Sequence, residues 1–465
     1  MLVLGLGETG MSMARWLKRR GAIVSVADTR ADPPHAAELG RDLPDIALVC
    51  GEFRDAAVRA ADLIAISPGI DRRTPAVAAA IKRGTPVAGD VELFAQALAQ
   101  LIPHPSSLIP PRVVAVTGTN GKSTVTRMAG DICAAAGLDT VVAGNIGTPV
   151  LGALIDIEDG RASPDVFVLE LSSFQLESTT SLDAGAATLL NLSADHLDRY
   201  AGIDAYVAAK ARIFNGSGAQ VLNRDDARSN AMALPGRTVH RFGLAAPRGE
   251  REWGVAQRAG QAWLARGAQT LMPVDELPVA GMHNVANALA AGALCHAIGV
   301  AAAPLIKALR NFKGLPHRVE KIAELDGVTF YDDSKGTNVG STVAALDGLA
   351  QPVVLIAGGD GKGQDFGPLR AAVKRRARAV VLIGRDREQI AAALDGCGVP
   401  LVRADDMVQA VASARAASRR GDAVLLSPAC ASYDMFRNYM HRGEVFAAAV
   451  RNLAQGKDRG SRIED

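Results

Sequence analysis

Thr117-Gly118-Thr119-Asn120-Gly121-Lys122-Ser123-Thr124 stands between an apolar run, Val113–Val116, and a helical pattern over Lys122–Ala136. A glycine turn that leaves a buried strand and opens a helix aims backbone N–H groups and the positive end of the helix dipole at one point. A phosphate fits that point. Lys122 is placed to neutralise β/γ oxygens, and the Ser123 hydroxyl to ligate Mg²⁺. Gly118, Thr119, Asn120, Gly121 and Thr124 complete the cradle, although Val116 holds the place of the first glycine in the full GxxxxGK[ST] spacing. A nucleoside triphosphate is the expected ligand.

The same strand-turn-helix grammar runs outward in both directions. Leu2–Leu4, Ile23–Ala27, Ile46–Val49 and Leu63–Ile66 read as buried strands, with helices over Met11–Arg20 and Thr74–Arg83. Beyond the loop come Val166–Leu169 and Ala187–Leu190, an irregular stretch over 243–270 suited to short meandering strands, and an Ala-rich helix over His283–Ile298. Val328–Tyr331, Val353–Ala357, Ala379–Ile383 and Ala423–Leu426 repeat the pattern. Alternation of this kind predicts an α/β fold with parallel sheets. The proline-rich stretch 103–111 cannot continue a helix or a central strand and reads as a linker. The 465 residues therefore divide into three expected domains: Rossmann-like 1–102, a central P-loop ATPase-type 103–314 and Rossmann-like 315–465, with a frayed end over Gly456–Asp465.

Composition narrows the function. Lys plus Arg number 51 against 49 Asp plus Glu, so no broad basic footprint for nucleic acid is present. At 48% hydrophobic and 22% charged residues, the chain has the makeup of a folded soluble protein rather than a disordered one. Five scattered cysteines without CxxC spacing argue against a disulfide framework or a zinc knuckle. Apolar runs stop short of the ~18 residues of a membrane span. The first residues carry no basic region or cleavage site, so a cytoplasmic setting is expected. The first strand follows the initiator directly, which suggests a natural start several residues upstream.

A second glycine loop, Gly5-Leu6-Gly7-Glu8-Thr9-Gly10, is followed by Asp28 at the end of the next strand. By rule this is a dinucleotide fingerprint, with the acid on a ribose. The physics asks only for a diphosphate at a helix N-terminus. A nicotinamide or flavin cofactor, another nucleotide diphosphate and a purely structural turn all remain open. Magnesium needs oxygen ligands near the phosphate loop, and Glu170, closing the strand Val166–Leu169, is where one belongs. His196 could take a second metal, while Lys210 reads alone as a solvated helix lysine.

Taken together these motifs resemble the Mur ligases, ATP-dependent amino-acid-adding enzymes of peptidoglycan precursor synthesis. The resemblance is carried by Gly5–Gly10, Asp28-Thr29-Arg30, Ser67-Pro68-Gly69-Ile70, Gly118–Thr124, Gly144-Asn145-Ile146-Gly147, Glu170–Gln175 and Asp195-His196-Leu197-Asp198. It continues through His283–Asn287, Leu315–Arg318, Asp333–Asn338, Gly358–Gly363 and Ser427–Ser432. The Asp333-Ser334-Lys335-Gly336-Thr337-Asn338 segment points to the branch that adds D-glutamate, where relatives carry a histidine-containing segment.

The resemblance implies ligation of D-glutamate to UDP-N-acetylmuramoyl-L-alanine through an acyl phosphate, with ATP as co-substrate, two Mg²⁺ ions and no nucleic acid. It implies Lys122, His196 and Lys210 as catalytic, with Lys210 carrying a CO₂-derived carbamate. Ser123, Glu170, His196 and the Lys210 carbamate would hold the metals. Asn284, Asn287, Arg318 and Asp333 would join the loop in binding ATP. Thr9, Asp28, Thr29, Arg30 and Gly69 would meet the UDP end; Asn145, Ser172 and Gln175 would meet the muramoyl-alanine end. Thr337, Lys362, Ser432 and Tyr439 would bind glutamate, with Tyr439 standing where the family pattern has phenylalanine. A monomer is expected. The alternatives are a sister Mur or folylpolyglutamate-type ligase and, from a different class, a nicotinamide-dependent reductase using Gly5–Gly10.

Overall fold

Leu2–Leu4 is only three residues long, yet it forms the middle of a parallel five-stranded sheet, paired with Ser25–Asp28 on one side and Ile64–Ile66 on the other. All three of its side chains are buried, which suits a strand covered by helices on both faces. The structure is a computed structural model that describes residues 1–100, 111–193, 195 and 199–460. Within those residues there are three sheets, one in each third of the chain. The expected linker, apart from Pro111, lies outside the described residues, as does His196.

The second sheet has nine strands, and Arg112–Thr117, third from one edge, pairs in parallel with Val166–Glu170 and Ala186–Leu189. The irregular stretch resolves into Glu252–Arg258, Gln261–Arg266 and Gln269–Pro273, an antiparallel meander at one edge. The third sheet has six strands, with Val328–Asp332, Ala423–Leu426 and Val353–Gly358 side by side in parallel and Glu320–Leu325 antiparallel at the edge. Rather than fraying from Gly456, the last helix runs over Tyr439–Gly460. Extending an established helix costs little per residue once its first turn exists.

By contacts the chain forms two compact units. The first takes in Met1–Leu192, Arg199–Val274 and Ala288–Leu309; the second includes Asp275–Asn287 and everything from Arg310 onward. The first two sheets thus share one unit, joined by a common core in which the Phe94 and Phe167 rings meet edge to face at 5.1 Å. Such a ring pair adds about 1 kcal/mol beyond area burial. Arg19 pairs across the same seam with Asp159 at 2.6 Å. Among the described residues, no helix is long and apolar enough to cross a membrane.

Candidate active site

The phosphate loop leaves the strand Arg112–Thr117 and turns into the helix Lys122–Ala135. Gly118 has φ +153°, and a Cβ there would lie 3.0 Å from the Leu190 Cβ, so a larger residue meets both strain and crowding. Asn191 clamps the loop from outside. Its carbonyl accepts from Thr119 N–H at 2.9 Å, its side-chain oxygen from Asn120 N–H at 2.8 Å, and its amide donates to Asn120 O at 3.0 Å.

Two ammonium groups converge on this loop. Lys122 Nζ donates to Gly118 O at 3.0 Å and Thr119 O at 2.9 Å. Lys210 Nζ donates to the same Gly118 O at 2.9 Å and to Thr117 Oγ1 at 3.3 Å. Lys210 is not the solvated helix lysine its local sequence suggests, because it is only 1% exposed. Its Nζ lies 4.8 Å from the centre of the Tyr206 ring, and Tyr206 Oη meets Thr119 Oγ1 at 3.2 Å. Tyr206 precedes Lys210 by one helical turn, a spacing that could have marked it as a partner. Two ammonium groups drawn to one carbonyl place positive charge at the loop, where a phosphate would be attracted.

Glu170 closes the strand Val166–Glu170 and is 1% exposed. Its Oε1 accepts from the Asn145 amide at 2.7 Å, while its Oε2 is buried with no hydrogen-bond partner among the described residues. An orphaned carboxylate oxygen in the interior is costly, and a cation removes the cost. Ser123, 6% exposed, sits at the second residue of the loop helix. An oxygen donor set of this kind fits Mg²⁺.

Ser172 and Gln175 form a capping box at the start of Ser173–Leu176. Gln175 also donates to Asp90 at 3.1 Å, a residue the motifs did not single out. Burial pushes the Asp90 carboxyl up to about 6, against the Gln175 hydrogen bond.

In the first sheet, Gly5–Gly10, Thr29-Arg30 and Ser67–Gly69 lie at the carboxyl ends of neighbouring parallel strands, where open α/β sheets bind ligands. A Cβ on Gly10 would stand 1.8 Å from Gly5 O, so only glycine permits this loop. Asp28 is buried and occupied. It accepts from Leu6 N–H at 2.6 Å, Arg30 N–H at 2.9 Å and the Arg30 guanidinium at 2.6 Å. The Arg30 hydrogen bond, partly opposed by burial and helped by Leu6 N–H, lowers its carboxyl to about 2. Thr29, Arg30 and Gly69 are exposed.

In the second unit the loops after Val328–Asp332, Val353–Gly358 and Ala423–Leu426 again share one sheet end. Asp333 accepts from Ser427 Oγ at 2.7 Å, and burial pushes its carboxyl to about 7. Lys362 is exposed with φ +51°, Ser432 is buried, and Lys335 Nζ sits 3.9 Å from the centre of the Tyr439 ring. Thr337 N–H donates to Lys335 O at 2.8 Å. Arg442, missed from sequence, is 1% exposed and binds Ser334 O at 2.8 Å and Cys430 O at 3.1 Å, tying two of these loops together. His317 meets Asp332 at 2.7 Å beside Arg318. Asn284 donates to Ala280 O at 2.7 Å and Asn287 to Asn284 at 3.2 Å. The residues expected around ATP are thus divided, Gly118–Thr124 in the first unit and Asn284, Asn287, Arg318 and Asp333 in the second.

Comparison with known proteins agrees along the whole chain. A Mur ligase MurD-like N-terminal domain matches residues 1–89, a Mur ligase middle domain 116–295 and a Mur ligase glutamate ligase domain 317–430. The UDP-N-acetylmuramoylalanine--D-glutamate ligase of Thiobacillus denitrificans is 58% identical over 460 residues, 98% of this chain and 96% of that protein. That of Methylobacillus flagellatus is 58% identical over 453 residues, 97% of each chain. Among solved structures, the UDP-N-acetylmuramate-alanine ligase of Thermotoga maritima superposes with a TM-score of 0.60 at 18% identity, covering 97% of this chain and 99% of that one. At that identity the likeness concerns the fold alone.

Proposed function

The chain belongs to the Mur ligase family, and we infer from this premise that it joins D-glutamate to UDP-N-acetylmuramoyl-L-alanine in peptidoglycan precursor synthesis, consuming ATP and releasing ADP and phosphate. The observation that carries the chemistry is the pair of lysines, 122 and 210, on the Gly118 carbonyl of a phosphate loop. Peptide-bond formation needs an activated carboxylate, and a γ-phosphoryl group supplies the activation. The L-alanyl carboxylate attacks the γ-phosphorus and ADP leaves. The glutamate amine then attacks the acyl carbon, and phosphate leaves from the tetrahedral intermediate with loss of the amine proton.

Lys122 would exchange its two loop carbonyls for phosphate oxygens, placing its charge where negative charge develops. Two Mg²⁺ ions, held by Ser123, Glu170, His196 and a carbamate on Lys210, would supply further neutralisation of phosphoryl and oxyanion charge. The orphaned Glu170 Oε2 favours this assignment. A carbamate turns a repelling ammonium into an anionic oxygen ligand, which gives the buried Lys210 a reason for its place. Asn284 and Asn287 would contact adenine, Arg318 the phosphates and Asp333 the ribose. Thr9, Thr29, Arg30 and Gly69 would hold the UDP end, with Asp28 fixing Arg30. Asn145, Ser172 and Gln175 would take the muramoyl-alanine end. Thr337, Lys362, Ser432 and Tyr439 would receive glutamate at the end of the third sheet, where the Lys362 ammonium is exposed to solvent. All five cysteines are free thiols, in keeping with a cytoplasmic setting. We read the enzyme as a monomer.

Phosphate release with UDP-N-acetylmuramoyl-L-alanine and D- or L-glutamate tests the reading. Release with D-glutamate alone is expected. Equal release with both enantiomers, or with neither, would sink it.

A further inference from the structure

Beside the helix Ile203–Ala211 the structure holds a cavity of about 430 Å³ that none of the residues given a role above lines. Its wall combines Arg72, Arg199, Arg212 and Tyr200 with the exposed alanines Ala205 and Ala208. The charges around it do not cancel. Asp71 is taken by Arg73 at 2.6 Å and Glu177 by Arg199 at 3.0 Å, which leaves Arg72 and Arg212. Arg72 donates to the Glu177 carbonyl, and Arg212 to the Thr179 carbonyl at 2.9 Å; neither makes an ion pair among the described residues. Burial, and next the Arg212 charge, push the Arg72 guanidinium below its ordinary value, with Glu177 acting the other way.

Two half-buried like charges, neither in an ion pair among the described residues, are held at a cost that a nearby dianion would lower. A guanidinium presents its donors in a planar fork suited to phosphate oxygens. The alanines in the same wall offer a polar group nothing and a carbon skeleton a surface. We propose that this cavity is a second anion site, which binds a small organic phosphate with its phosphoryl oxygens on Arg72 and Arg212 and its apolar body along Ala205 and Ala208. The proposal stands apart from the ligation reading and survives or fails without it.

Calorimetric titration of the full chain with phenyl phosphate, in saturating ADP and Mg²⁺ so that the phosphate loop is filled, tests it. One phenyl phosphate per chain is expected, bound at least tenfold more tightly than inorganic phosphate. Arg72→Gln should weaken it by tenfold or more. Ala208→Glu, which sets a carboxylate in the cavity without removing a hydrogen bond, should do the same while the chain keeps its melting temperature. No binding by the wild-type chain, or unchanged binding in both variants, would overturn the site. Equal affinity for inorganic phosphate would overturn the organic ligand.

Discussion

The glycine loop Gly5–Gly10 and the phosphate loop Gly118–Gly121 each join a buried parallel strand to the start of a helix, and they are completed in opposite ways. In the first, Asp28 receives Leu6 N–H, Arg30 N–H and the Arg30 guanidinium, so loop donor and acid satisfy one another. In the second, Lys122 and Lys210 rest on loop carbonyls, and Glu170 keeps a buried oxygen with no partner among the described residues. The first arrangement stabilises a shape. The second gathers two lysines and a buried carboxylate at one loop. A glycine signature is therefore the same backbone device in both places, and the side chains behind it decide whether the device is closed or waiting.

The contrast can be broken most severely at Lys210. Replacing it by alanine should cost at least about a thousandfold in turnover, roughly 4 kcal/mol, with partial recovery on adding a short-chain carboxylic acid. Full activity in the steady-state assay would remove Lys210 from the chemistry and the contrast with it. Next in size is Gly10→Ala, whose Cβ would lie 1.8 Å from a backbone oxygen. A loss of about 3 kcal/mol in urea unfolding is expected, as for severe overpacking. A stability change under 1 kcal/mol would show that the first loop is less closed than its geometry implies.

Glu170→Gln should leave the fold intact, because Oε1 and its Asn145 partner have a neutral counterpart. It should lower turnover by about a hundredfold and raise the Mg²⁺ concentration needed for half-maximal rate. An unchanged metal dependence would move the acid out of the metal site. The smallest effect belongs to Asp28→Asn. Its carboxyl lies at about 2 in the folded chain against an ordinary 3.8, so its contribution is fully present above pH 3.8 and is lost as pH falls toward 2. Discounted for the half-exposed Arg30, that is about 1–2 kcal/mol at neutral pH. Acid unfolding should accordingly lose part of its slope between pH 4 and pH 2 in the variant. An identical acid-unfolding curve would deny Asp28 its closing role.

Most central strands were legible because buried parallel strands are continuous apolar runs, as at Val113–Val116 and Val353–Ala357. Thr140–Gly144, Ala219–Asn223, Val239–Phe242 and the edge strands Glu320–Leu325 and Leu401–Arg403 carry no such run. The phosphate loop was equally legible, since its residues are consecutive. Asp28 is ambiguous on rule alone: its spacing fits a ribose acid, and in the fold its oxygens accept from Leu6 and Arg30. Lys210 reads locally as a solvated lysine, because local helix sequence carries no record of what covers it. Arg442 and Asp90 gave no local sign at all; each acts on residues far away in the chain, Ser334 and Gln175.

What the sequence determined by itself was the α/β grammar of the three sheets and the place of the phosphate loop, because strand, turn and helix signals act over a few neighbouring residues. Only the tertiary structure decided the state of each charge. Asp28 is closed, Glu170 half-partnered among the described residues, Lys210 buried, and Arg72 held on a backbone carbonyl with its guanidinium pushed below its ordinary value. The physical reason is that burial and electrostatic partnership depend on distances through space between residues that the chain keeps far apart.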